Sequence, residues 1–272
     1  MRLFHRAALA GVAIFGFASV SSAADLPVKA PPMVAPLVVA YNWSGFYIGV
    51  NAGGDWGTSD PSTTTVVAGW LAGCPGCVSD IANNGSQSFK TDGFTGGVQG
   101  GYNWQTGNIV LGVEGDFEYF RSSGSNSTVF FSPTCPCTMT INSSMSTDWL
   151  FTLRPRVGFA VNNWLFYATG GLAVSELKGA WSYGDNFGGR TTTESGSVST
   201  VKAGWVIGGG LETALPGNWL IGAEYLYVKF ADVSTTSNNL VNSTSGPYPA
   251  SVFTHSADLA VNIARIRVSK KF

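Results

Sequence analysis

Four cysteines in two tight clusters, Cys74-Pro-Gly-Cys77 and Cys135-Pro-Cys137, are the residues whose type and spacing bear most directly on chemistry. An even cysteine count in an oxidising compartment favours disulfides, and four cysteines allow three pairings. A bridge between the clusters and local closure of each are both open, although a Cys-x-Cys ring is tight. Thiolates at C-x-x-C spacing also suit zinc. Redox catalysis needs an acidified thiol, commonly at a helix N-terminus, and neither cluster is followed by a helical pattern. Structural disulfides are the expectation, with no metal and no cofactor.

Hydrolytic chemistry generally needs a histidine as base. The chain has two. His5 lies in a segment expected to be removed, and His255 is expected as a solvated residue at the rim of the last strand. The glycine runs Gly96-Gly97 and Gly208-Gly209-Gly210 precede no helix, so neither can cradle a phosphate. In strands such glycines ease curvature and close packing. No catalytic residue is expected.

The remaining chemistry is charge held on one side of alternating segments. In 109–120 (IVLGVEGDFEYF) the even positions include Glu114, Asp116 and Glu118, while the odd ones are Ile109, Leu111, Val113, Gly115, Phe117 and Tyr119. A helix would scatter the three acids, whereas a strand sets them on one face. Segment 46–56 places Asp55 opposite Phe46, Ile48, Val50 and Trp56. Segment 149–161 places Arg154 and Arg156 opposite Trp149, Phe151, Leu153 and Phe159. Lys202 and Glu212 oppose the apolar side of 201–214, and Arg265 and Arg267 that of 258–272. In 219–230, Glu224 shares its face with Leu226 and Val228. With 94–104 and 164–175, these segments make eight strands, each long enough for the roughly 9–11 residues a tilted strand needs to cross a bilayer.

What precedes them is an address label and a spacer. Arg2 and Arg6, the apolar run 7–20 and the small residues around Ala23 have the anatomy of a secretory signal peptide, residues 1–23. Its removal leaves 13 basic against 16 acidic residues, a formal charge of about −3. Residues 24–42 are rich in Pro, Ala and Val and are expected as a flexible leader, which leaves 43–272 for the barrel.

Connections alternate in length. Long Ser/Thr/Asn/Gly-rich stretches at 58–91, 121–148, 176–200 and 231–257 follow every odd strand, and turns of a few residues follow the second, fourth and sixth. Even strand number with short turns at one rim is the outer-membrane barrel pattern. The apolar-side aromatics then collect at two depths: Phe46, Trp104, Phe159, Trp164, Trp219 and Phe272 near the short turns, and Trp56, Phe94, Tyr119, Trp149 and Tyr227 near the long loops. Two aromatic girdles mark two membrane interfaces. A soluble barrel of lipocalin type would bury the charges or expose both girdles.

Composition agrees. The 272 residues are 13% aromatic and 11% charged, with 35 glycines, and 15 Lys+Arg balance 16 Asp+Glu; mean hydropathy is +0.15. Disordered chains are charge-rich and aromatic-poor, and nucleic-acid binders carry a basic excess, so neither class fits. The result is an all-β fold, an eight-stranded antiparallel up-and-down transmembrane β-barrel. Its inward charges, Asp55, Glu114, Asp116, Glu118, Arg154, Arg156, Lys202, Glu212, Glu224, Arg265 and Arg267, are expected as a paired network filling a lumen just wide enough for side chains. A narrow charge-lined pore is the alternative.

The start ADLP, the stretch NWSGFYIGVNAGG (42–54), VLGVEGDFEY (110–119) and the terminal Phe272 resemble the porin-like opacity-type, or outer-membrane immunogenic, β-barrel proteins of alphaproteobacteria, with OmpA-type barrel architecture. The resemblance spans nearly the whole mature chain. It implies a barrel in the Gram-negative outer membrane with a structural or surface-interaction role rather than an enzyme. Its partners would be outer-membrane lipid, a host or environmental ligand at the outer loops, and the barrel-assembly machinery that reads Phe272 with Val268, Ile266 and Ala264. A small-solute porin and a barrel enzyme on lipid or peptide are the other readings.

Overall fold

The computed structural model describes residues 41–272; the segments read as signal peptide and, up to residue 40, as leader lie outside the described residues. Eight strands carry the fold: β1 Gly45–Ser59, β2 Phe89–Thr106, β3 Ile109–Ser132, β4 Cys137–Val161, β5 Trp164–Asp185, β6 Thr192–Leu215, β7 Trp219–Phe230 and β8 Ala260–Lys271. Each pairs antiparallel with its sequence neighbour, and β8 also pairs with β1. The ring closes, so no strand in this band has a free edge.

Alternation decides which way each strand faces. Residues expected on the apolar side point outward, with Trp104 54% exposed, Phe94 56% and Phe272 71%, while Glu118, Arg154 and Arg265 are buried inside. A soluble barrel does the reverse. At the short-turn rim, Gly107 (φ 60°), Asn162 (φ 56°) and Asn218 (φ 59°) take left-handed backbone, as tight hairpin turns demand of Gly or Asn.

Two of the four expected long loops are not loops. β3, β4, β5 and β6 have 24, 25, 22 and 24 residues, about twice what a bilayer needs. Stretches 121–148 and 176–200 therefore continue as strands, turning only near 133–136 and 186–191. They are held by inward side chains of period two that the Ser/Thr-rich composition disguised: Met139, Ile141 and Met145 on β4, and Leu177, Trp181 and Tyr183 on β5.

The other two long stretches fold over the same end. Ser62–Thr65 and Val233–Ser237 flank Phe253–Ala257 in a three-stranded sheet. Between Ser62–Thr65 and β2 runs a ten-residue helix, α1, Pro75–Asn84. Pro75 in its first turn removes an N–H that would have no partner there, and Cys77 and Ile81, four apart, bury its inner side. Together these elements form a cap.

Candidate functional site

The lumen is filled in layers. At the short-turn rim Trp43, Val110, Ala160, Leu165, Tyr167, Ala214 and Leu220 form a buried cluster. At the cap end of the membrane band Phe120, Leu150, Val206, Leu226, Val228, Phe230 and Ile263 form another. This explains why Leu226 and Val228 share a face with Glu224: all three point inward, at different depths.

Between the two lies the charge. Strand register sets Glu114 opposite Arg154 and Glu224 opposite Arg265, so opposite charges face each other directly across the ladder. Arg154 stands among three carboxylates, with Nη2 at 2.8 Å from Glu114 and 2.6 Å from Asp116, and Nη1 at 3.1 Å from Glu224. Arg156 reaches Glu212 at 3.1 Å and Glu114 at 3.5 Å. Arg265 binds Glu224 at 2.5 Å and Asp116 at 3.3 Å and also pairs with Glu118. Arg267 contacts Glu224 at 3.1 Å, Glu212 at 3.2 Å and, closer still, Glu114.

Nine of the eleven expected lumen charges thus meet in one cluster, four arginines against five carboxylates. The other two stand apart. Asp55 is buried on β1 near Ser122 with no cation on its carboxylate among the described residues. Lys202 faces inward, half-buried, opposite Ser175 on β5, also without an ion-pair partner among them. Both lie nearer the cap than the arginines, where the interior has become apolar.

Neutral side chains complete the network. Tyr47 donates its hydroxyl to Glu114 at 2.6 Å and Tyr167 donates to Glu224 at 3.0 Å. The Arg156 guanidinium lies 4.8 and 4.9 Å from their ring centroids, which suits a cation over an aromatic face. Thr95 donates to Glu118 and Thr152 to Asp116. Tyr47 shares the inward face of β1 with Asp55, as alternation along 46–56 requires. Buried charges are tolerated when paired and hydrogen-bonded in this way.

At the C-terminus, Phe272 packs against Phe46, ring centroids 6.3 Å apart, and its N–H donates to the Phe46 carbonyl at 2.9 Å. Ile266 and Ala264 point outward on the same face. Lys270, on that face, lays its ammonium 5.3 Å from the Trp219 ring centroid and donates to the Gly217 carbonyl.

The cap holds the four cysteines and His255. Cys74 and Cys77 are joined by a disulfide, and Cys135 and Cys137 are free thiols whose Sγ atoms lie 3.0 Å apart. The first cluster does precede a helix: Cys74 is the N-cap of α1, and the Cys77 N–H donates to its sulfur at 3.3 Å. The helical signal was short and interrupted by Gly76, which hid it in a polar stretch. Burial pushes the Cys137 thiol pKa up, reinforced by the Cys135 thiol and by Asp185 and Asp80.

His255 is not a solvated rim residue. It is fully buried, with Trp181 stacked at 5.5 Å and Phe253 at 6.2 Å between ring centroids. Its Nδ1 lies 3.1 Å from Thr63 Oγ1 and its Nε2 3.3 Å from Glu194, which also accepts from Ser237. A hydroxyl, an imidazole and a carboxylate in line have the parts of an acyl-transfer triad. Here the hydroxyl is itself fully buried, so the line ties together the cap strands and β6. Alternation along Phe253–Ala257 was the available sign that His255 faces in.

Residues 10–245 match the family model described as the outer membrane protein beta-barrel domain. The chain is 34% identical over 254 residues to the 31 kDa outer-membrane immunogenic protein of Brucella melitensis, covering 90% of this chain and 94% of that one. It is 27% identical over 234 residues to the 25 kDa outer-membrane immunogenic protein of Brucella canis, covering 85% and 87%. With the 22 kDa outer membrane protein of Rhizobium leguminosarum it shares 28% identity over 200 residues, 72% of this chain and 68% of that one.

Proposed function

The chain belongs to the outer membrane protein β-barrel domain family, and on that premise we propose that it serves the outer membrane as a closed structural and surface-interaction protein rather than as a pore or an enzyme. The observation that carries this reading is the filled lumen. Four arginines and five carboxylates cross-link β3, β4, β6, β7 and β8, and an apolar layer lies on either side of them. An eight-stranded barrel has little interior to spare for water once such side chains occupy it. The burial of His255 and Thr63 supports the non-enzymatic reading, because a nucleophile must reach its substrate.

The partners follow from the two surfaces. The apolar band between the aromatic girdles takes outer-membrane lipid. The cap, with polar outward residues such as Asn142, Ser144 and Ser195, is the face offered to a host or environmental ligand, in keeping with relatives named as immunogenic. Phe272 at the end of β8 serves the barrel-assembly machinery during biogenesis.

Single-channel conductance of the folded protein in a planar bilayer tests this, with slower gel migration after boiling as the control for folding. The expected result is a folded, inserted barrel without discrete steps. Steady, reproducible steps would overturn the closed-lumen reading and put a narrow charge-lined porin first.

A further inference from the structure

The four cysteines belong to two different cap segments, yet three of their sulfurs share one place. Sγ of Cys135 lies with those of Cys74 and Cys77 in a group whose members are all within 4.8 Å of one another. A disulfide with a third sulfur this close has the arrangement from which thiol–disulfide exchange proceeds. The disulfide also sits where one of its sulfurs makes a good leaving group. Cys74 caps α1, and the Cys77 N–H already points at its sulfur. A thiolate at a helix N-terminus is stabilised by the unpaired N–H groups and the helix dipole.

The two free thiols are not equivalent. Cys137 is buried, and that burial, with the Cys135 thiol and then Asp185 and Asp80 adding to it, raises its pKa and disfavours the thiolate. Cys135 is half-buried and lines a cavity of 320 Å³ with Cys74, Cys77, Trp70, Tyr183 and Asp185. Cys135 is therefore the sulfur placed to react.

We propose that Cys74, Cys77 and Cys135 form a sulfur-exchange site in which the disulfide moves between a bond within the α1 segment and a bond joining that segment to the β3–β4 hairpin. Cys135 gives its proton to solvent and its thiolate attacks Cys77 Sγ. The Cys77–Cys135 bond forms as the Cys74–Cys77 bond breaks, and the electron pair leaves on Cys74 Sγ at the head of α1. One disulfide is lost and one gained, so no external oxidant or reductant is needed. The reverse attack by Cys74 restores the first bond. In the second state α1 is fastened to the turn at 133–136, and Cys74 becomes the thiol that faces the cavity.

The test maps disulfides in the full folded barrel by acid quench, alkylation of free thiols, digestion without reduction and mass spectrometry. Two linkages are expected, Cys74–Cys77 and Cys77–Cys135. Cys135→Ser should abolish the second, and Cys137→Ser should leave both. Cys74→Ser removes the leaving group and should leave Cys77–Cys135 as the only link. A wild-type protein with Cys74–Cys77 alone and Cys135 fully alkylated would overturn the proposal, as would a closed Cys135–Cys137 pair. A Cys74–Cys135 link would overturn the assignment of Cys74 as leaving group. Heat-dependent gel migration of each variant shows that the barrel has folded.

Discussion

The two halves of β4 obey opposite rules. In the membrane band Arg154 and Arg156 point inward and Leu153, Val157 and Phe159 point out; beyond it Met139, Ile141 and Met145 point inward and Thr140, Asn142 and Ser144 face away from the interior. Each half buries what its own surroundings reject. Lipid takes the apolar side in the band and leaves charges to satisfy one another inside, whereas water takes the polar side of the cap and leaves Met and Ile inside. The changeover also involves geometry. Inward residues are even-numbered below Trp149 in the fold and odd-numbered above it, because pairing slips by one residue between Ser146 and Phe151 on β4 and between Tyr119 and Ser122 on β3. A bulge of this kind re-aims the strand that follows it. Without it, the same sequence would turn its cap residues inside out.

Inserting one serine between Met145 and Ser146, on the cap side of the slipped segment, is the harshest test of that contrast. A one-residue shift moves a whole side-chain set to the other face. Met139, Ile141 and Met145 would then be exposed at a cost of roughly 1.5–3 kcal/mol each. Limited proteolysis of vesicle-embedded protein should show cleavage throughout the cap while the membrane band stays protected. Equal protection of both halves would mean that the cap takes up the extra residue without changing faces.

Arg154→Met tests the other half. It leaves Glu114, Asp116 and Glu224 each short of one cation, and breaking a buried pair typically costs about 3–5 kcal/mol. A urea titration of the barrel in vesicles should show that loss, with the cap's protease pattern unchanged. Ile141→Val removes one methylene from the cap interior and should cost about 0.5–1.5 kcal/mol, visible as faster cleavage of the cap only. Lys178→Ala should be the mildest. Its ammonium pairs with Asp148 at 2.5 Å, and the hydrogen bond and charge of that carboxylate raise the lysine pKa. Both side chains are largely exposed, so the urea midpoint should match that of the parent protein; a clear drop would show that this pair helps to hold the bulge.

Much of the membrane band was legible in the sequence, because alternation in a closed barrel is strict. Every girdle residue named from 46–56, 94–104 and 109–120 points outward, and Glu114, Asp116, Glu118, Arg154 and Arg156 point inward. The cap was less legible. Its Ser, Thr and Asn look like loop residues, and the bulge breaks the period that would have linked 137–147 to 149–161. α1 was missed because ten residues with two buried positions give a weak helical signal, and His255 because a single ring reveals its face only from its neighbours.

By itself the sequence determined the strand number, the inner and outer faces of the membrane band, and the sign of each charge placed inside. Those properties follow from side-chain period and connection length, which are local. Tertiary structure alone decided that Arg154 meets Glu224 from across the barrel, that Asp55 and Lys202 stand apart from the ion pairs, and that Cys135 comes to lie beside the Cys74–Cys77 bond. Such contacts depend on ring closure, strand register and one slipped pairing, which bring together residues distant in the chain that no local period can relate.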